Sequence, residues 1–337
     1  MRGFLCNLTI LFLSLSLLTA CKKNRFEIDV KDVSGVKVTI ERFDRDFHSM
    51  DTLQMQQSIE QMRQRYGRFF DLFVNSQIPG AMDTTLSMEK RLCGFLNDSI
   101  YRNNIYPECQ LVFADVADIE NELDTAFRYI HHYFPEKKIP RVAMHVSGFG
   151  NSVMVTPDMI SASIDCYLGE DYAPYSQIVF DYQRKRMNRA NVALDLLYAY
   201  LSTEFEEGEQ KNLLQCMLNR GRILYLMSVC LPGHTDAEIM GYDERQYQWC
   251  IDNEKQMWNY LIEQKRLYNT SHLVITKFVE PAPFTSEFPQ DSPGQAVLWM
   301  GLKIVRQYME NNSTVSLDDL MKESSAQKIL EGSRYKP

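Results

Sequence analysis

The six histidines and the spacing of their neighbours decide which metal and acid–base chemistries this chain could support. Zinc peptidases need two imidazoles one helical turn apart, as in HExxH. Only that spacing aims both rings at one ion while the intervening glutamate activates the water. No HExxH occurs here, and the nearest spacing, Asn191-Val192-Ala193-Leu194-Asp195, offers an amide and one carboxylate. His131 and His132 are adjacent, so on a helix their side chains diverge by about 100 degrees and make a poor pair of ligands. His48, His234 and His272 have no ligand-spaced neighbours. His145 lies in a strand-like segment and, with Asp165 and Asp195, forms the one speculative cleft set for a hydrolase or a glycan-binding site. A hydrogen-bonded structural histidine is the plainer account of it.

Nucleophilic and phosphate-binding patterns are equally thin. Ser147-Gly148-Phe149-Gly150 has a serine at a strand end, but no GxSxG elbow surrounds it and a turn explains the glycines. The acidic run Glu204, Glu206, Glu207, Glu209 lacks the DxDxDG spacing of a calcium loop and reads as a solvated helix end. The expectation is therefore no catalytic residue, no metal and no cofactor.

Around these residues, hydrophobic periodicity defines the elements that must position them. Alternation over 36–40 predicts a strand, and helical periods follow over 51–73, 87–101 and 118–133. Val142, Met144 and Val146 alternate with Arg141, Ala143 and His145. With 153–155 and 159–164 they predict an antiparallel meander turning at 147–152. Beyond it the pattern is helical over 188–205, 211–231, 235–268 (one short helix and one longer), 294–310 and 317–330, with a proline-rich loop at Pro281, Pro283, Pro289 and Pro293. This order gives a predominantly helical α+β fold, a small antiparallel sheet followed by a helical C-terminal half. A sheet followed by two long helices is the zincin-like layout, here without HExxH.

The chain has 337 residues and a formal charge of −8, and no Lys/Arg stripe interrupts its acidic surface, which argues against nucleic acid as a partner. At its start, Arg2 precedes an apolar run from 5 to 18, and Leu18-Thr19-Ala20-Cys21 follows. The run is shorter than the roughly 20 residues that span a bilayer. The pattern resembles a bacterial lipobox: 1–20 as signal peptide, Cys21 as the acylated (palmitate-type) N-terminus, 21–35 as anchor and tether, and 36–337 as one globular periplasmic domain. Several acyl chains, each buried CH₂ worth about 0.8 kcal/mol, make such an attachment durable. Lys22 after the cysteine is unlike the Asp-type inner-membrane retention signal. The expected address is thus the periplasmic face of the outer membrane, with that of the inner membrane as the alternative. The mature cysteines show no CxxC and fit buried free thiols.

Scattered motifs carry a family resemblance over nearly the whole mature chain. They include Ile40-Glu41-Arg42-Phe43-Asp44, then Ile164-Asp165-Cys166-Tyr167-Leu168-Gly169 with Asp171-Tyr172, and Gly221-Arg222-Ile223-Leu224-Tyr225 leading to Leu231-Pro232. Tyr247-Gln248-Trp249-Cys250, Met257-Trp258, Asp291-Ser292-Pro293-Gly294 and the closing Ser333-Arg334-Tyr335-Lys336-Pro337 complete the set. Together they resemble the GldB-type gliding-motility lipoproteins. The resemblance implies an envelope accessory protein without an established catalytic activity, with membrane lipid and gliding or secretion machinery proteins as partners. The same layout is similar to certain zinc peptidases whose third ligand is a Glu-Gly on the second helix; here that place holds Arg220-Gly221. Trp249, Trp258, Tyr260 and Trp299 are candidates for an exposed docking patch, with core packing as the commoner use of such side chains.

Overall fold

The computed structural model describes residues 25–337 apart from 81, 82, 84 and 206–210. The signal segment, Cys21 and most of the acidic run Glu206, Glu207, Glu209 therefore lie outside the described residues.

Glycines, prolines and polar caps cut the helical periods into shorter pieces than periodicity alone suggests. The stretch 51–73 divides at Gly67, whose φ of +53° is left-handed, so α2 (Met55–Tyr66) and α3 (Arg68–Ser76) follow α1 (Phe43–His48) as separate helices. Ser87 caps α4 (Met88–Leu96), and a π-turn at Tyr101–Ile105 leads into α5 (Tyr106–Val112). The 17-residue α6 (Ala117–Tyr133) stops before Pro135. After a short α7 (Asp181–Arg184) come α8 (Val192–Glu204) and α9 (Leu213–Cys230). Capping boxes at Thr235/Glu238 and Asp243/Gln246 start α10 (Asp236–Met240) and α11 (Glu244–Glu263). The chain closes with α12 (His272–Val279), α13 (Ala296–Asn311), α14 (Leu317–Lys322) and α15 (Ala326–Ser333). The expected single helix over 317–330 is two, because Ser325 caps a new start.

The sheet departs from the antiparallel meander. Its four strands are β1 (Ile40–Glu41), β2 (Arg141–His145), β3 (Val153–Val155) and β4 (Met159–Ser163), in the order β1-β2-β4-β3. β1 and β4 flank β2 in parallel, and only β3 pairs antiparallel, with β4. Gly148 and Phe149 both take positive φ, 74° and 67°, so the turn carries the chain away from β2 before β3 begins. β4 then fills the place beside β2, with Val142 opposite Ile160 and His145 opposite Ser163. All five residues of β4 are buried, as expected for a strand covered on both faces.

One apolar cluster extends from Phe26 to Tyr335, so the described part of the expected tether (25–35) lies against the body. Its centre is the crossing of α9 and α13. A Cβ on Gly221 would stand 2.6 Å from the carbonyl carbon of Gly301, and one on Gly301 would stand 2.2 Å from the Met217 carbonyl oxygen. Two side-chain-free positions thus bring the helix backbones into contact. Trp299, beside this crossing, is buried at 1 % exposure.

Candidate functional site

Parallel β2 and β4 set their polar side chains in line, because residues two apart share a face. His145, Ser161 and Ser163 form such a line. The His145 Nδ1 lies 2.8 Å from Ser161 Oγ, its ring edge meets Phe69 and Phe73 of α3, and its Nε2 has no hydrogen-bond partner. Complete burial with no countercharge pushes the imidazole pKa down to about 3, so the ring is neutral at physiological pH.

Asp165 folds back onto the turn after β2. It accepts from the backbone N–H groups of Ser147 (3.2 Å) and Phe149 (2.6 Å) and from Ser163 Oγ at 2.6 Å. Burial raises its pKa while these donors oppose the rise. Ser147 Oγ is 2.7 Å from Ser163 Oγ and accepts from Gly150 N. The serine expected at a strand end thus holds the 147–150 turn closed, and it is almost fully buried.

Asp195, on α8, faces outward instead. Arg186 donates to one oxygen at 2.7 Å and the Tyr167 hydroxyl to the other at 3.0 Å. It lines a half-open cleft of about 590 Å³ between α7, α8, α9, α10 and the proline-rich loop. Arg220 of α9 lines the same cleft, donating to the Val279 carbonyl at 2.7 Å and lying 3.6 Å from Glu280. Tyr242, on the cleft wall, spans to the loop through a 2.7 Å bond to the Gly294 carbonyl. Burial drives its phenol well above the usual tyrosine range, which keeps it a neutral donor.

The three residues nominated from sequence therefore separate. Among the described residues His145, Asp165 and Asp195 share no hydrogen bond or ion pair, and only Asp195 reaches the cleft. Among the described residues, too, no group of three or more His, Cys, Asp or Glu side chains is placed to hold a metal ion. Arg186 and Tyr242 belong to no motif that marks them as cleft residues, and Arg220, singled out in the sequence as a cation in place of a ligand, lies beside them on the cleft wall.

A second half-open cavity of about 800 Å³ lies between α8, α9 and α14, with Lys137, Glu204, Lys211, Arg222, Asp318 and Lys322 on its walls. Its charges are mixed, and Lys137 and Lys322 are paired to Glu204 and Asp318.

The expected aromatic patch is mostly absorbed by packing. Trp299 is core, while half-buried Trp249, Trp258 and Tyr260 meet Phe288, Tyr335 and Phe288 respectively. None of the six cysteines at 93, 109, 166, 216, 230 and 250 is in a disulfide, and five are buried. The motif at 40–44 proves structural: Arg42 grips Asp44 with two bonds of 2.9 and 2.7 Å and donates to the Phe113 carbonyl.

Fold and site define a predominantly helical α+β body with a shallow charged cleft, and no helix among the described residues is long and apolar enough to cross a membrane. The chain belongs to the GldB family of gliding motility proteins, a lipoprotein family, whose model matches residues 23–337. That span takes in the whole described body, the sheet and both cavities. No curated protein and no solved structure matches the chain.

Proposed function

We propose that this protein is a non-catalytic accessory of the cell envelope, held by acyl chains on Cys21 at the periplasmic face of the outer membrane. It acts by binding envelope proteins of the gliding or secretion machinery, with the Arg186–Asp195 cleft as the contact surface. The observation that carries the reading is the commitment of the cleft's charges to the protein itself: Asp195 to Arg186 and Tyr167, Arg220 to the Val279 carbonyl and Glu280. Groups held this way are poor acids, bases or ligands, yet they present a preorganised polar surface to a partner. The family match supports the motility association, and it begins two residues past Cys21.

A photo-crosslinking residue at Tyr198, on the cleft wall, tests the reading in living cells. A reproducible envelope protein captured there, and lost when the label is moved to exposed Glu60 of α2, which does not line the cleft, is the expected result. Labelling only lipid or nothing would count against it.

A second reading is a hydrolase or glycan-binding protein on a metallopeptidase-like scaffold. Its support is the half-open cleft of about 590 Å³ itself, on whose walls Asp195 and Glu280 stand as carboxylates. Metal analysis of the purified body separates the two readings, since one equivalent of bound zinc would establish the second.

A further inference from the structure

Arg25 is the first described residue, and it is clamped. Its guanidinium donates to the carbonyls of Ser313 (2.6 Å) and Val315 (2.8 Å), just past the C-terminal end of α13. Phe26 is 7 % exposed, meets Tyr133 edge-on at 5.7 Å, and its carbonyl accepts from the Tyr133 hydroxyl at 3.0 Å. The body thus captures the chain four residues after Cys21. Four residues, fully extended, reach about 14 Å. Acyl chains on Cys21 must lie in the bilayer, so the Arg25 backbone can stand no more than about that distance from it, and the surface around Ser313 one arginine side chain further, roughly 20 Å in all.

The helix that ends at this clamp begins at the cleft. Gly294, Gln295 and Leu298 line the cleft at the N-terminal end of α13, whereas Asn312, Ser313 and Val315 lie beyond its other end. Sixteen residues at 1.5 Å per residue put about 24 Å of helix between the two. We infer that the Arg25 clamp stands the body on the bilayer with the C-terminal end of α13 towards the headgroups and the Arg186–Asp195 cleft turned away, towards partners in the aqueous space. The occupant of the clamp-side surface is the lipid headgroup layer. Exposed Asn311, Ser313 and Thr314 supply the polar groups such a layer contacts. This deepens the reading of Cys21 as a lipid anchor and rests on it. A long flexible tether would leave the orientation free, but a leash this short does not.

The test uses full-length acylated protein in phosphatidylethanolamine/phosphatidylglycerol vesicles that carry a headgroup-attached nitroxide quencher. A fluorophore is placed on Thr314→Cys or on Arg245→Cys, each in a Cys93→Ser background that removes the one cysteine of the body that is not buried. Arg245 is exposed and neighbours the cleft residue Gln246. Quenching at position 314 several-fold stronger than at 245 is expected, and the double variant Arg25→Ala/Phe26→Ala, which releases both holds, should shrink the ratio towards one. Equal quenching at the two sites, or a ratio unchanged by the double variant, overturns the orientation while leaving the lipid anchor standing. Protein that fails to float with the vesicles overturns the anchor and the orientation together.

Discussion

Gly221 and Gly301 meet backbone to backbone where α9 crosses α13, and any side chain at either position would collide with the other helix. The crossing holds Arg220 towards the cleft on one side and Trp299 in the core on the other. The Arg220-Gly221 pair thus carries two separate duties, a cleft cation and a contact point.

Gly301→Ala is expected to destabilise the protein. Alanine improves helix propensity by about 1 kcal/mol, but its methyl would sit 2.2 Å from the Met217 carbonyl oxygen, and overpacking costs about 1–3 kcal/mol or more. The steric term wins because the obstacle is backbone, which cannot rotate aside. A net loss of about 1–2 kcal/mol, seen as a lower urea midpoint, is the outcome; an unchanged midpoint would refute the close crossing.

Arg42→Ala removes the partner of Asp44, a carboxylate at 1 % exposure. Breaking a buried pair from one side costs about 3–5 kcal/mol. Gln110 still donates to Asp44 at 2.7 Å, so the lower end is expected. The double variant Arg42→Met/Asp44→Leu should recover part of the loss, and a single variant that unfolds at the wild-type midpoint would contradict the account.

His145 gives stability a pH signature. Its folded pKa of about 3 lies below the ordinary value of 6.5, so the unfolded chain takes up a proton that the folded one refuses. Its contribution is complete above pH 6.5 and falls by about 1.4 kcal/mol per pH unit as pH drops towards 3. Buried Asp165, whose pKa is raised, works in the opposite sense at acid pH, since its folded form holds a proton the unfolded form has lost. The difference between wild type and His145→Gln cancels Asp165 and isolates the histidine. Chemical denaturation at pH 7, 6, 5 and 4 should show the variant with the shallower loss, and parallel curves would sink the assignment.

Cys21→Ser deletes the thiol that acylation requires. Nearly all of the protein should move from the membrane pellet to the soluble fraction, with its melting temperature unchanged, because the described body begins beyond that residue. Continued membrane association of the variant in high salt would show that something other than acyl chains holds it.

The sequence by itself determined the helical content and most helix positions. Periods such as Ile119, Leu123, Ala126, Phe127, Ile130 mark α6 without reference to any other part of the chain, and Thr235 with Glu238 marks the start of α10. These signals are local, acting within one or two turns, so composition and spacing suffice to read them. The family motifs were legible for the same reason, although Arg42-Phe43-Asp44 showed its structural duty only once Phe113 and Gln110 were seen beside it. Tertiary structure alone decided that β4, and not β3, lies against β2, that His145 and Asp165 turn into the core while Asp195 opens to a cleft, and that Arg25 closes on Ser313, 288 residues away. Each of these depends on which distant surfaces bury one another, an energy that no short window of residues contains.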